Sequence, residues 1–280
     1  MNYRHAYHAG NFADVFKHAL LTRILLYLMR KDAPLRYLDT HSGVGRYDLS
    51  SEEALRTGEW RDGIGRLMGA DLPPAAAALL EPYLSLIPGT AQAPGPYPGS
   101  PLIAQSLLRK QDRMTFSELH DHDSRRLVRS LGQEKRCKIL TMDGYQALKA
   151  GVPPIERRGL VLIDPPFEER NEFERMARAL ENAWEKWPTG TYALWYPLKL
   201  EGGADLFRTY LSEGPIRKVL CLELDIDHLR DVGPLKGCGM VVVNPPFVLE
   251  EEARELLPVL TARLAQGPGA AWRMGWLTGE

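Results

Sequence analysis

The sequence predicts an α/β protein: a Rossmann-like, doubly wound and mainly parallel sheet of seven strands. Three observations lead there. Seven short apolar runs recur along the chain, most of them are spaced widely enough for an intervening helix, and the first is followed by a glycine turn.

The elements follow in order. Residues 11–30 read as a helix, with Asn11 as N-cap, Asp14 in the first turn, and Val15, Phe16, Ala19, Leu20, Ile24, Tyr27 and Leu28 on one apolar face; Pro34 closes it. The short apolar runs "LRYLDT", "MTFSEL", "CKILTMD", "LVLIDP", "TYALWYP", "KVLCLEL" and "GMVVVNP" read as buried strands. Between the last two, "DIDHLRDVGPLKGC" looks like a loop rather than a crossover helix. The seventh strand should therefore turn back antiparallel beside the sixth. Residues 49–99 break the alternation and read as a small helical insertion subdomain between the first and second strands. It ends in the Pro/Gly linker "GTAQAPGPYPG", after which Ser100 and Pro101 open the next helix as N-cap and first turn. The 280 residues are thus expected to form a single domain, 1–280, with a sizeable core.

Composition narrows the function classes. Lys+Arg 35 against Asp+Glu 36 gives a formal charge of −1, so a nucleic-acid partner would have to be held by local patches rather than a global basic field. The 3 cysteines, Cys137, Cys221 and Cys238, are far apart and lack CxxC spacing, which argues against a disulfide framework or a zinc site and fits a cytoplasmic protein. The pairs His5/His8 and His120/His122 have neither an HExxH frame nor a cysteine partner, so no metal is expected. The first residues carry no apolar signal core, and the apolar stretch that follows is broken by Arg23, Arg30 and Lys31; no membrane partner is expected.

Two similar phrases compete as the site, "LVLIDPPFEER" and "VVVNPPFVLE". Ligands of open α/β sheets bind outside the carboxyl ends of the parallel strands. Asp164 ends a parallel strand and faces that crevice, whereas an antiparallel seventh strand delivers Asn244 to the opposite rim. "DPPF" is therefore the site, and "NPPF" a strand exit stiffened by Pro245 and Pro246. Four consecutive strands end in acids, Asp39, Glu118, Asp143 and Asp164. An acid ending the second strand is placed to accept from ribose hydroxyls, and one ending the third could accept from an adenine amino group. The turn "THSGVGRY" lets backbone approach a ligand at Gly43 and Gly45, without being the dinucleotide fingerprint GxGxxG.

This order of motifs resembles the S-adenosylmethionine-dependent methyltransferases, and "DPPF" matches the [D/N/S]PP[Y/F/W] signature of their amino-methylating branch. More closely, "YRHAYHAGNFADVFKH", "YLDTHSGVGRY", "RTGE", "YPGSPLIA", "LIDPPF" and "GTYALWYP" resemble the RlmJ family of bacterial 23S ribosomal RNA adenine-N6 methyltransferases over nearly the whole chain. The family pattern favours tyrosine at the place of Phe167, which keeps a stacking face without the hydroxyl. The resemblance implies S-adenosylmethionine as cofactor, with contacts at His18, His41, Ser100, Glu118, Asp143, Gly144 and Asp164. It also implies a catalytic group of Asp164, Pro165 and Phe167: the Asp164 carboxylate and the Pro165 carbonyl accept the two N6 hydrogens while Phe167 stacks on the extruded base. The start of the chain reads either as a frayed terminus or as a tail in which Tyr3, Arg4, His5 and Lys17 hold the RNA. The expected partner is 23S ribosomal RNA, protein-free or in an early assembly intermediate, with a monomeric enzyme. Two alternatives are weighed against this. An amino methyltransferase for protein glutamine would be expected to carry Asn at position 164, and one for DNA adenine would bring a basic recognition domain. A non-catalytic cofactor-binding RNA module would tolerate loss of Asp164.

Overall fold

In the computed structural model, which describes residues 4–198, 203–227 and 235–279, α1 (Phe12–Leu28) begins where expected: the Asn11 side chain accepts the Asp14 amide. It is not a half-exposed amphipathic helix. α1 packs against further helices on several sides, and even Asp14, Lys17 and His18 are buried. Asp14, Lys17 and His18 are spaced i, i+3, i+4, so one polar stripe runs along an otherwise apolar buried rod.

β1 (Arg36–Asp39) leads through the glycine turn to β2 (Arg46–Asp48). Then come α2 (Glu52–Thr57), α3 (Glu59–Asp62) and α4 (Pro74–Leu84), and the chain returns through β3 (Pro96–Pro98), which pairs antiparallel with β2. The stretch read as a plain linker thus contains a strand. Three residues flanked by prolines are too few for a periodic signal. α5 (Ser100–Leu107) follows with Gly99 as its N-cap, because the Ser100 hydroxyl is committed to Asp39.

The alternation continues through β4 (Arg113–Ser117), α6 (Asp121–Leu131), β5 (Cys137–Leu140), α7 (Gly144–Gly151), β6 (Gly159–Ile163), α8 (Glu172–Lys186), β7 (Thr191–Leu198), α9 (Gly203–Glu213), β8 (Val219–Asp225), β9 (Gly237–Val243), α10 (Leu249–Leu264) and β10 (Ala271–Thr278). The main sheet has eight strands in the order β10-β8-β9-β7-β6-β1-β4-β5. Pairs from β5 to β7 are parallel, and β9 runs antiparallel between β7 and β8, as the short connection requires. The eighth strand is the difference from the sequence reading. β10 pairs antiparallel on the outer edge of β8 with a register break near Trp276, and most of its residues remain partly exposed. An edge strand of mixed polarity, interrupted by Arg273 and Gly275, lacks the buried apolar signature of its neighbours. Two apolar layers cover the sheet. One joins α1, α4, α5 and α10 to one face, and the other joins α7, α8 and α9 to the opposite face. Among the described residues no helix is long and apolar enough to cross a membrane.

β1 lies between β4 and β6, so the crossovers leave it in opposite directions. Asp39 stands level with Phe116 on one side and Leu162 on the other, which brings the exits of the three strands together at a switch point.

Candidate active site

A cavity of about 1000 Å³ opens over those exits. Its floor is the turn after β1. Gly43 and Gly45 adopt positive φ, and the Gly43 amide donates to Glu118 Oε2 at 2.8 Å. The other oxygen of Glu118 accepts the His120 amide at 2.8 Å; burial pushes this carboxyl up while the two amides pull it back. Asp143 caps α7 by accepting the Gln146 amide and stands 3.5 Å from Arg175. At Gly144 a Cβ would lie 2.2 Å from the Thr40 carbonyl oxygen and 2.9 Å from the His41 ring, so only glycine lets α7 close on the turn. His41 is bonded to Thr40 and edge-on to Tyr145, and burial lowers it to about 4, a neutral imidazole. Asp39 lies beneath the turn instead of lining the cavity. It accepts from Ser100 Oγ at 2.6 Å and Tyr37 Oη at 3.1 Å, and burial raises it to about 6 against those bonds.

The opposite wall is the polar stripe of α1. His18 is bonded to Tyr97 Oη at 2.8 Å, and burial lowers it to about 3. Lys17 departs from expectation. Instead of joining the tail read as holding RNA, it lies within α1 and lines the cavity, buried, with Nζ 2.6 Å from Asp164 Oδ2 and 2.9 Å from Asp14 Oδ1. Burial would lower this ammonium, but Asp14 and Asp164 together hold it well above its ordinary value. Burial likewise raises Asp14, yet His5, Lys17 and His18 hold its carboxyl well below the usual range. The Asp14–Lys17–Asp164 chain joins α1 to the end of β6. Its only sequence signal is that three hydrophilic residues interrupt an apolar helix.

After Asp164 come Pro165 and Pro166, and Phe167 adopts a φ of 51°. A bulky side chain in the left-handed region is strained, a condition that persists where surrounding structure imposes it. The Phe167 ring lies 4.8 Å from Phe173 and 6.0 Å from Trp195, centroid to centroid, and all of Asp164, Pro165, Phe167 and Trp195 line the cavity. Trp195, on β7, was not singled out from sequence, since a tryptophan within an apolar strand reads as core.

The competing phrase is elsewhere. Asn244 follows the antiparallel β9 and donates to the carbonyls of Pro188 and Gly190, both at 2.8 Å. Phe247 is 90% exposed. Phe247→Ala should leave the chemistry of the cavity unchanged and shift stability by no more than about 0.5 kcal/mol, checked by parallel activity and urea melts; a fall in activity would contradict the assignment of the two motifs.

With this geometry in place, comparison with known proteins decides the family. The family model described as "Ribosomal RNA large subunit methyltransferase D, RlmJ" matches residues 32–278. The chain belongs to the RlmJ family. It is 43% identical to ribosomal RNA large subunit methyltransferase J of Haemophilus influenzae and 39% identical to that of Escherichia coli K12, in each case over 100% of both chains. The crystal structure of protein LPL1258 from Legionella pneumophila superposes with a TM-score of 0.87 at 36% identity, covering 96% of this chain and 98% of that one.

In this RlmJ family member the residues before α1 form a strap along the cavity. Residues His5–Tyr7 make one 3₁₀ turn, preceded by the exposed Arg4. His5 Nε2 is 2.8 Å from Asp14 Oδ2, its ring sits against Tyr47, and both His5 and His8 line the cavity. Tyr3 lies outside the described residues. Of the residues singled out from sequence, the structure brings His5, Lys17, His18, His41, Ser100, Glu118, Asp143, Gly144, Asp164, Pro165 and Phe167 to one cavity. The sequence reading missed Asp14, Trp195 and the Tyr145–Arg175 pair, whose guanidinium carbon lies 5.0 Å from the ring centre.

Proposed function

We propose that this cavity is where an S-adenosylmethionine-dependent methyltransferase modifies the N6 amino group of an adenine in 23S ribosomal RNA, with Asp164 as the catalytic carboxylate. One observation carries the residue assignment: Asp164 shares a single cavity with Glu118 and Asp143, the acids that follow the next two strands outward from β1. The cavity fits the cofactor in its donor set. Glu118 suits ribose hydroxyls, Asp143 an adenine amino group, and the bare Cα of Gly144 keeps open a surface that a side chain would fill. His18, His41 and Ser100 complete the proposed contacts. When bound, S-adenosylmethionine supplies an electrophilic methyl group.

The protein's own task is to align a poor nucleophile. Adenine N6 shares its lone pair with the ring, and two acceptors on its hydrogens favour the tetrahedral nitrogen that attacks. Lys17 occupies Asp164 Oδ2, so Oδ1 is the oxygen that accepts one N6 hydrogen, and the Pro165 carbonyl accepts the other. As positive charge develops on nitrogen, the carboxylate stabilises it and then takes the proton. Lys17 fixes the orientation of Asp164. Phe167 stacks on the base, which must first leave any helix; stacking of this kind contributes about 1–3 kcal/mol. Arg4 and His5 belong to the strap that meets the RNA, and Tyr3 is proposed from the sequence as a further RNA contact. An extruded adenine is easier to reach before a ribosomal subunit is assembled, which favours protein-free RNA or an early intermediate as substrate.

The test is transfer of labelled methyl from S-adenosylmethionine to unmodified 23S RNA, either protein-free or within assembled subunits, followed by digestion to nucleosides. N6-methyladenosine from protein-free RNA is the expected product. Label recovered only from assembled particles, or on another atom, would overturn the corresponding part of the proposal.

A further inference from the structure

The strap is fastened to the α2–α4 segment by a side chain that sequence reading did not single out. Glu59, the first residue of α3, receives His8 Nδ1 at 2.9 and 3.0 Å on its two oxygens and the Asn11 amide nitrogen at 3.0 Å. Backbone contacts run alongside. The Ile64 amide donates to the Gly10 carbonyl at 2.8 Å, and the Thr57 hydroxyl donates to the Tyr7 carbonyl. At Gly63 a Cβ would lie 2.1 Å from the Gly10 oxygen, so strap and α3 are in backbone contact. His5, His8, Asn11 and Glu59 all line the cavity that holds Asp164. Three residues before His8, His5 reaches Asp14, the other partner of Lys17.

We propose that Glu59 is a positioning residue for RNA: by holding His8 and Asn11 it sets the strap at the cavity mouth in the conformation that meets the substrate. The inference rests on the reading of the strap as an RNA contact. Glu59 bonds to His8 and Asn11 of the strap rather than to Glu118 or Asp143, so its loss should act on RNA and not on cofactor. Its carboxylate holds two strap residues, His8 through a ring nitrogen shared between both oxygens and Asn11 through its side-chain amide, all charge-assisted by the carboxylate, and releasing them makes the strap order only when RNA arrives. That ordering cost appears in KM.

The experiment measures kcat, KM for protein-free 23S RNA, the dissociation constant of S-adenosylmethionine and the melting temperature for wild type, Glu59→Ala, Glu59→Asp, His8→Ala, His5→Ala and the Glu59→Ala/His8→Ala pair. The expected result for Glu59→Ala is KM raised about tenfold, with kcat and cofactor affinity nearly unchanged and partial recovery in Glu59→Asp. The double variant should be no worse than Glu59→Ala, because both changes break one contact. Unchanged KM in Glu59→Ala while His5→Ala raises it would overturn this inference alone, and unchanged KM in both would overturn the strap reading with it. A drop in kcat, cofactor affinity and melting temperature together would make Glu59 merely structural and also overturn the proposal. If Glu59→Ala does not fold, His8→Ala decides: raised KM upholds the inference and a wild-type KM overturns it.

Discussion

Asp164→Asn is expected to lower the single-turnover rate of methyl transfer by about 10³-fold, the scale of losing a general base together with a transition-state acceptor. The reasoning starts from Lys17. Its ammonium is 2.6 Å from one oxygen of Asp164, and in the variant it will keep the amide oxygen on its own side. The amide nitrogen then faces the substrate, donor against donor, where the wild type presents an acceptor. The fold should survive, since Lys17 retains Asp14 at 2.9 Å. Circular dichroism and cofactor titration should therefore change far less than the rate. A variant with more than about a tenth of wild-type activity would remove Asp164 from the chemistry.

Lys17→Met is expected to destabilise the protein and to reverse part of its pH dependence. The Lys17 side chain is 7% exposed and serves two carboxylates, of which Asp14 is 1% exposed. Removing one partner of a buried ion pair typically costs about 3–5 kcal/mol, because the remaining charge is left uncompensated. The sign can be worked out for Asp14. In the wild type its folded pKa lies well below the ordinary value, held there against burial by His5, Lys17 and His18. That contribution is present above the unfolded pKa and is lost only as pH falls through the lowered folded one. Without Lys17 the opposing effect of burial gains weight and the folded pKa of Asp14 rises. If it passes the unfolded value, stability declines as pH increases between the two. Urea melts should therefore show a smaller gap between variant and wild type in acid than at neutral pH. A gap that is constant with pH would mean Lys17 contributes packing rather than charge. Activity should fall by about 10²-fold, as Asp164 loses its fixed orientation.

Much of the site was legible because it depends on strand polarity. Once β9 is read as antiparallel, Asp164 and Asn244 must leave the sheet at opposite rims, and Asn244 indeed bonds to the carbonyls of Pro188 and Gly190 away from the cavity. Glu118 and Asp143 follow from the same logic. Lys17 was misplaced because its neighbours in sequence include the basic, aromatic start of the chain, whereas its neighbours in space are set by α1. Glu59 ends the quoted "RTGE" but was given no role of its own, because an acid in a helical first turn normally needs no further explanation.

The sequence by itself determined the α/β class, the parallel core strands, the reversal at β9, the α1 N-cap and the choice between the two proline motifs. These rest on apolar runs, caps and strand direction, which are local or topological. The tertiary structure decided the β2–β3 ribbon, the edge strand β10, the pairing of Lys17 with Asp164 across 147 positions and that of His8 with Glu59 across 51. The physical reason is common to the two pairings. A charged pair within hydrogen-bond reach depends on how α1 and the strap settle on the sheet and on α3, and side-chain periodicity carries no information about where one packed element meets another.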